Sequence, residues 1–582
     1  MKYFTLHNLD DGKMYIQFNR MDAQEYRNIF QKILAFPERK YNAKTGAYVI
    51  PVTAQNVVYL EETFHEDEYD TDEIAGLEIQ HVTKTYQLQK IKEKRRLFYR
   101  DTEEEVKIKY DFVLPPYRHQ AVATDSLHGA EYFALLMEMG TGKTKVVIDE
   151  ICWVGEGVYV IVCPKSVRGQ WIKELIKHAT KPYFVTLMKS RHKGVKQLIE
   201  GVRAKQKIKI FIIGFDMLKT MGPYLAKLKP SMTVLDESHC IKNKKTKRTE
   251  ASKVLGAASA RRVILTGTPV ANTLLDLWSQ FDYLNPGCLG YMLYGPFKTR
   301  FAKFKRMESG FEKLVGYKHV DELKKFMSLC SFVAKKKDCL DLPPKIYEVR
   351  YVEMQPKQRE IYEKMLAIAL ADLEGDLSPS GTVSATAVIV QLLRLAQIAN
   401  GFVKTLDGTV KSIPGGNPKL EVLKEVIEGI HPDEKIVIWA RFHKDVDNIM
   451  ELLAENGISY VTLTGRTRNR DESVDSFNSS RGARVLIGEP GSGGCGIDLL
   501  GTEAYPCTTH IYYSNDFSAL KRAQSEDRSH RIGMFRPIIY IDLMCEDSIE
   551  ERIYKILKSK RELNETMTNY SSVKELLTGK AA

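Results

Sequence analysis

Five apolar residues, Tyr132-Phe-Ala-Leu-Leu136, lead into Met139-Gly-Thr-Gly-Lys-Thr144 and then into an amphipathic stretch from Lys145 to Ile151. A strand that enters a glycine-rich turn and leaves as a helix belongs in a parallel sheet with helices on its faces. Glycines let the backbone bend so that successive N–H groups face a phosphate. Met139, Gly140, Thr141 and Gly142 are therefore candidates for cradling a nucleotide. Lys143 is placed to reach the β- and γ-phosphates, and the Thr144 hydroxyl to ligate magnesium. The helix that follows presents its N-terminus, the end that favours anions. Met137 stands where the general pattern G-x-x-x-x-G-K-[ST] has its first glycine.

The same texture continues beyond the loop. Val158–Pro164, Ile208–Gly214, Met232–Asp236 and Arg262–Thr266 are short β-branched runs separated by helical stretches, the pattern of strands buried on both faces. It recurs after Pro418 in Lys435–Ala440, Tyr460–Thr464, Arg484–Gly488, His510–Tyr513 and Ile538–Asp542. At roughly 100–200 residues per domain, a chain of this length holds about three to five domains. The predicted class is α/β. A small N-terminal α+β module is expected over residues 1–105, a first lobe over 106–295, a mainly helical insertion over 296–416, a second lobe over 417–565 and a tail over 566–582. In the first module, Phe36–Pro51 reads as two strands around a turn from Asn42 to Gly46. An acidic stretch, Glu61 to Glu73, and a basic one, Lys90 to Arg100, read as solvated faces or linkers.

A nucleotide site needs acid as well as phosphate donors. Thr233-Val-Leu-Asp-Glu-Ser-His239 puts a pair of carboxylates at the end of an apolar run. Asp236 is the candidate to hold magnesium, and Glu237 to orient and deprotonate the attacking water. Phosphoryl transfer also needs positive charge at the γ-phosphate. Arg528 and Arg531, in Gln524-Ser-Glu-Asp-Arg-Ser-His-Arg531, are spaced to share one face of a helix. Taken alone, that string better suits a solvated, salt-bridged helix.

Composition narrows the partner. There are 86 Lys and Arg against 74 Asp and Glu, a formal net charge of +12, which suits a polyanion; a merely basic protein has the same balance. Nine cysteines include no C-x-x-C pair, which argues against zinc and for a reducing compartment. The N-terminus lacks the apolar core of a signal peptide. No apolar run reaches the roughly 18 residues of a membrane span. The expectation is a soluble, intracellular protein without membrane contact, cytoplasmic in a bacterium or a virus-infected cell rather than nuclear.

Together these motifs resemble superfamily two helicases, and more narrowly the Swi/Snf-like DNA translocases, from about Leu114 to Lys560. Leu114-Pro-Pro-Tyr-Arg-His-Gln120 is similar to the adenine-reading segment of that family, which adds Arg118 and Gln120 to the nucleotide site. Asp236-Glu-Ser-His239 resembles its D-E-x-H box, bringing in His239. Leu265-Thr-Gly-Thr-Pro-Val-Ala-Asn272, followed by Asp276-Leu-Trp278, resembles motif three. Ile438–Phe442, Ser492–Leu499 and Gln524–Gly533 resemble motifs four, five and six. The last of these identifies Arg528 and Arg531 with the family's arginine fingers. Ala334-Lys-Lys-Lys337 replaces an arginine-rich string, and Met534 a glutamine; neither is expected to touch ATP chemistry. Phe36–Pro51 resembles the HepA-related module of annealing helicases, although an unrelated small module fits the same residues.

The resemblance implies two tandem RecA-like lobes that use ATP and Mg2+ and track on double-stranded DNA without reading sequence. Ser166, Lys242, Thr266, Thr464, Ser492 and Gly493 are the candidate phosphate contacts. The oligomeric state is left open, with a monomer favoured, and replication or repair proteins are candidate partners. Two other readings stay open: a strand-separating DNA or RNA helicase, and a catalytically silent nucleic-acid-binding scaffold. All catalytic motifs lie beyond Asp101, so a chain shortened to that point is expected to remain a folded ATPase.

Overall fold

In the computed structural model the described residues are 2–9, 12–188, 191–270, 273–306, 312–375, 385–405, 407–491 and 497–558. They form two compact units that divide after Lys335, with the loop Met139–Thr141 grouped with the second.

The N-terminal module is a five-stranded sheet made of β1 (Phe4–Leu9), β2 (Lys13–Phe18), β3 (Lys40–Asn42), β4 (Ala47–Pro51) and β5 (Tyr69–Thr71), in the order β3-β4-β2-β1-β5. β3 and β4 pair antiparallel around the turn expected at Asn42–Gly46, with Gly46 at φ +65°. Alternate residues Phe4, Leu6, Met14 and Ile16 turn inward. They pack against α1 (Ala23–Leu34), which buries Ile29 and Ile33 and starts from a capping box between Asp22 and Glu25. Two further helices follow, α2 (Ala54–Thr63) and α3 (Glu73–Asp101).

α3 argues against cutting the chain at Asp101. Its basic run is only in part a solvated face: Lys90, Lys94, Arg95 and Arg100 are exposed, but Lys92 and Arg96 turn inward. Arg96 is 9% exposed, donates to the Ser328 carbonyl and lies 5.4 Å from the ring centroid of Phe133. Lys92 donates to the carbonyls of Ser126 and His128, and burial lowers its ammonium to about 8. From the module's other edge, the Glu38 carboxylate accepts from the backbone N–H groups of Met292 and Leu293. Removing residues 1–101 would strip these partners from the first lobe and uncover Phe133, a residue of the strand that feeds the phosphate loop.

That strand is β6 (Tyr132–Met137). With β7 (Gly157–Cys163), β8 (Tyr183–Leu187), β9 (Ile208–Gly214), β10 (Met232–Asp236) and β11 (Arg262–Leu265) it builds a parallel sheet. A hairpin of β12 (Ala302–Arg306) and β13 (Glu312–Tyr317) comes next, and β14 (Ser331–Ala334) then returns to the sheet's edge beside β6. The order is β14-β6-β11-β10-β7-β9-β8. Every residue of β6 and of β10 is buried, as a sheet covered on both faces requires.

The second unit has its own parallel sheet. After β15 (Lys345–Val352) and a hairpin of β16 (Phe402–Lys404) and β17 (Val410–Ser412), the strands β18 (Lys435–Trp439), β19 (Tyr460–Leu463), β20 (Val485–Gly488), β21 (Cys507–Tyr512) and β22 (Ile538–Cys545) follow. They are ordered β15-β22-β21-β18-β20-β19. Successive residues of β18 feed opposite cores, with Ile436 and Ile438 on one side and Val437 and Trp439 on the other. The architecture is two α/β units in tandem, each built on its own largely parallel sheet. The stretch read as mainly helical does contain helices, including Pro356–Gly375 and Ala385–Ala399, but it also supplies an edge strand to each sheet.

Candidate functional site

The phosphate loop leaves the C-terminal end of β6. Gly140 and Gly142 have φ of +78° and +92°, a region that side chains with a Cβ rarely occupy. α4 (Arg118–Leu127) packs beside α5 (Lys143–Val154), whose N-cap is Gly142. A Cβ added at Gly142 would come within 2.2 Å of Gln120 Nε2, so the glycine is what allows Gln120 to lie against the loop. The Gln120 Oε1 accepts from the backbone N–H of Tyr117 at 3.1 Å. Arg118 is placed differently: it is exposed, and it donates to the carbonyls of Thr102 and Glu104. Lys143 Nζ donates to the carbonyls of Met137 (2.7 Å) and Glu138 (3.1 Å), beside Thr144, at the start of α5.

β11 lies between β6 and β10, and its register sets Leu135, Leu265 and Asp236 at one level. Two strand spacings separate the loop's strand from the acidic one by ~10 Å. Both open at the carboxyl ends of the sheet, where ligands of open α/β sheets bind. Asp236 is 7% exposed. Burial, and then the neighbouring Glu237, push its carboxyl up to about 6, against the hydrogen bond from Trp171 and the charge of Lys143. A divalent cation would relieve the repulsion between these two carboxylates, and Asp236 fits magnesium on that ground.

Three features here were not legible as motifs. Trp171 Nε1 donates to Asp236 Oδ2 at 2.9 Å and fixes the carboxylate. Glu237 is held at φ +54° and ψ +54°, a left-handed conformation costing about 1–3 kcal/mol that turns its side chain toward His239, whose Nδ1 lies 3.2 Å from its Oε2. Ser238 Oγ donates to Gln280 Oε1 at 2.8 Å, and Gln280 Nε2 donates to the Pro269 carbonyl at 2.8 Å. The acidic box is thus tied through one glutamine to the Thr-Gly-Thr-Pro segment.

In the second unit the arginines lie past their helix. Ala519–Glu526 ends before them, so a shared helical face does not bring them together. They converge because the Nη1 atoms of Arg528 and Arg531 each donate to the Ile497 carbonyl at 3.4 Å. Arg531 also pairs with Asp498. The preceding turn is anchored from below by Arg522, which is bidentate to Asp542, bonds Glu526 at 2.8 Å and stacks 3.4 Å from the Tyr512 ring centroid.

The candidate phosphate contacts divide. Thr266 and Thr464 are buried, and their hydroxyls close local turns by accepting from the N–H of Thr268 (3.1 Å) and Arg466 (3.2 Å). Any phosphate contact there falls to neighbouring backbone. Ser166 is half-buried just beyond β7. Lys242 borders a cleft of about 410 Å³ with Lys245, Trp278 and Tyr294, in which Lys244 sits 4.0 Å from the Tyr294 ring centroid. Ser492 and Gly493 lie outside the described residues, as do Ala271 and Asn272.

The SNF2-related domain family matches residues 52–401 of the chain. An uncharacterized ATP-dependent helicase of Mycoplasma genitalium is 28% identical over 433 residues, 73% of this chain and 39% of that protein. The TATA-binding protein-associated factor 172 of Homo sapiens is 27% identical over 464 residues, 70% of this chain and 24% of its own length. The chain therefore spans well under half of these relatives. Among solved structures, the SWI2/SNF2 ATPase core of Sulfolobus solfataricus in complex with dsDNA aligns with 78% of this chain and 93% of its own, at 24% identity and a TM-score of 0.36. No helix among the described residues is long and apolar enough to cross a membrane.

Proposed function

The chain belongs to the SNF2-related domain family, and from that premise we propose that it is a Swi/Snf-type motor that hydrolyses ATP while tracking on duplex DNA. The observation that carries the reading is the level placement of the phosphate loop and the Asp236–Glu237 pair across β11. Names given to relatives, an ATP-dependent helicase among them, agree with it.

In this reading the loop N–H groups and Lys143 bind the phosphates, and Gln120 addresses the base. Thr144 and Asp236 would hold magnesium, which supplies charge neutralisation on the β- and γ-oxygens. Glu237 takes the proton of the attacking water. Arg528 and Arg531 answer the charge that builds on the γ-phosphate. The Ser238–Gln280–Pro269 chain of hydrogen bonds offers a route from the acidic box to the loop after β11, where backbone near Thr266 is proposed to hold a DNA phosphate. Such contacts position a strand and carry no base information, which suits a tracking motor.

ATPase assays with single-stranded DNA, duplex DNA and RNA test this. Duplex DNA is expected to stimulate turnover most, with an affinity that falls steeply with salt as counterions are released. Stimulation by RNA or single strands alone would favour the helicase reading, and no turnover under any of the three conditions would favour the scaffold.

A further inference from the structure

We infer that Lys336 is a positioning residue for the motor's two arginines, an inference that rests on the role proposed above for Arg528 and Arg531. Lys336 opens the short helix Lys336–Cys339 and is 7% exposed. Its ammonium donates to the His530 carbonyl at 2.6 Å and pairs with Asp527 at 2.7 Å. These two partners immediately precede Arg531 and Arg528 in the chain. The His530 carbonyl lies in the rigid peptide plane that continues into the Arg531 N–H, so holding that oxygen orients the residue that carries one guanidinium. Holding the Asp527 carboxylate does the same for the turn that carries the other.

The rest of the segment reinforces the grip. His530 Nε2 donates to the Pro343 carbonyl at 2.9 Å, and Lys345 pairs with Glu526 at 3.2 Å and Asp527 at 3.3 Å. The string Lys336 to Lys345 therefore wraps the arginine turn from end to end.

Charge competition gives Lys336 a second task. Asp527 is a half-buried anion next in sequence to Arg528, and left alone it would draw a guanidinium to itself. Burial pushes the Asp527 carboxyl up, but Lys336 and Lys345 overcome this and hold it below its ordinary value. A buried ion pair adds little net stability over apolar residues of the same size. What this one supplies is direction: it occupies the Asp527 carboxylate and keeps that carboxylate from competing for the arginines.

Asp527, Lys345, Arg531 and His530 face Lys336, and burial, with Lys345 and Arg531, lowers its ammonium to about 8 despite Asp527. Turnover should thus fall on the alkaline side as Lys336 loses its charge. Steady-state ATPase at saturating ATP and duplex DNA, from about pH 6.5 to 9.5, tests this on the full chain. Lys336→Met is expected to lower kcat by roughly 10²-fold, the scale of a misplaced catalytic group, with the KM for ATP unchanged. Lys336→Arg, whose guanidinium stays charged throughout, is expected to restore most of kcat and to move the alkaline limb upward. Parental kcat in Lys336→Met, or an unmoved alkaline limb in Lys336→Arg, overturns the inference; if the Met variant does not fold, the Arg profile alone decides. Inactive Arg528→Ala and Arg531→Ala alongside parental Lys336 variants would sink only this inference, whereas active arginine variants would sink the assignment beneath it.

Discussion

Glu237→Gln is expected to bind ATP and duplex DNA like the parent chain and to hydrolyse ATP about 10²–10⁴-fold more slowly, the usual worth of a positioned general base. Glutamine has the shape of glutamate and can keep the polar contact with His239, but its amide cannot accept the proton of the attacking water. The backbone at this position is already in the left-handed region, at φ +54°, and the substitution changes no backbone constraint. It also removes the one negative charge that crowds the Asp236 carboxyl, while Asp236 itself stays to hold magnesium, so binding of the magnesium nucleotide is expected to survive. Equilibrium binding of a fluorescent ATP analogue and single-turnover hydrolysis separate the two effects. A variant that loses binding and shows no specific defect in turnover would make Glu237 a structural residue.

Arg528→Ala and Arg531→Ala should each depress kcat far more than DNA affinity, on the scale of about 10³–10⁵ that an arginine finger supplies in other phosphoryl-transfer enzymes. The two differ in surroundings. Arg528 is 3% exposed, so its truncation also leaves a void, whereas Arg531 is more open and its removal releases Asp498. Equal losses from both would point to a shared role at the phosphate rather than to packing. A titration showing weaker DNA binding with normal saturated turnover would reassign them as contacts to the DNA backbone.

Much of this site is readable from sequence because its parts are local. A phosphate loop needs glycines at fixed places, and parallel strands buried on both faces appear as unbroken apolar runs such as Tyr132–Met137 and Met232–Asp236. Some edge strands carry no such run. In Lys345–Val352 the residues Glu348 and Arg350 interrupt the apolar ones, because one side of the strand is unpaired. Arg528 and Arg531 have helical spacing, but Glu526 and Asp527 are drawn into pairs with Lys345 and Lys336, and the helix stops before the arginines. Long-range polar links leave still less trace. Nothing near Gln280 or Trp171 announces a bond to the acidic box, and a run of three lysines at 335–337 reads as solvated surface until its middle member is seen buried against Asp527. The basic run of α3 misleads for the same reason, since Arg96 finds its partners on the first lobe far along the chain.

The proposal that the motor tracks along a duplex without melting it is tested most directly by triplex displacement. A third strand bound to a duplex should be released in an ATP-dependent manner by the parent chain and not by Glu237→Gln, while a tailed duplex of the same length stays paired. Efficient ATP-dependent separation of the tailed duplex, with the third strand left in place, would contradict the account and mark the protein as a strand-separating helicase.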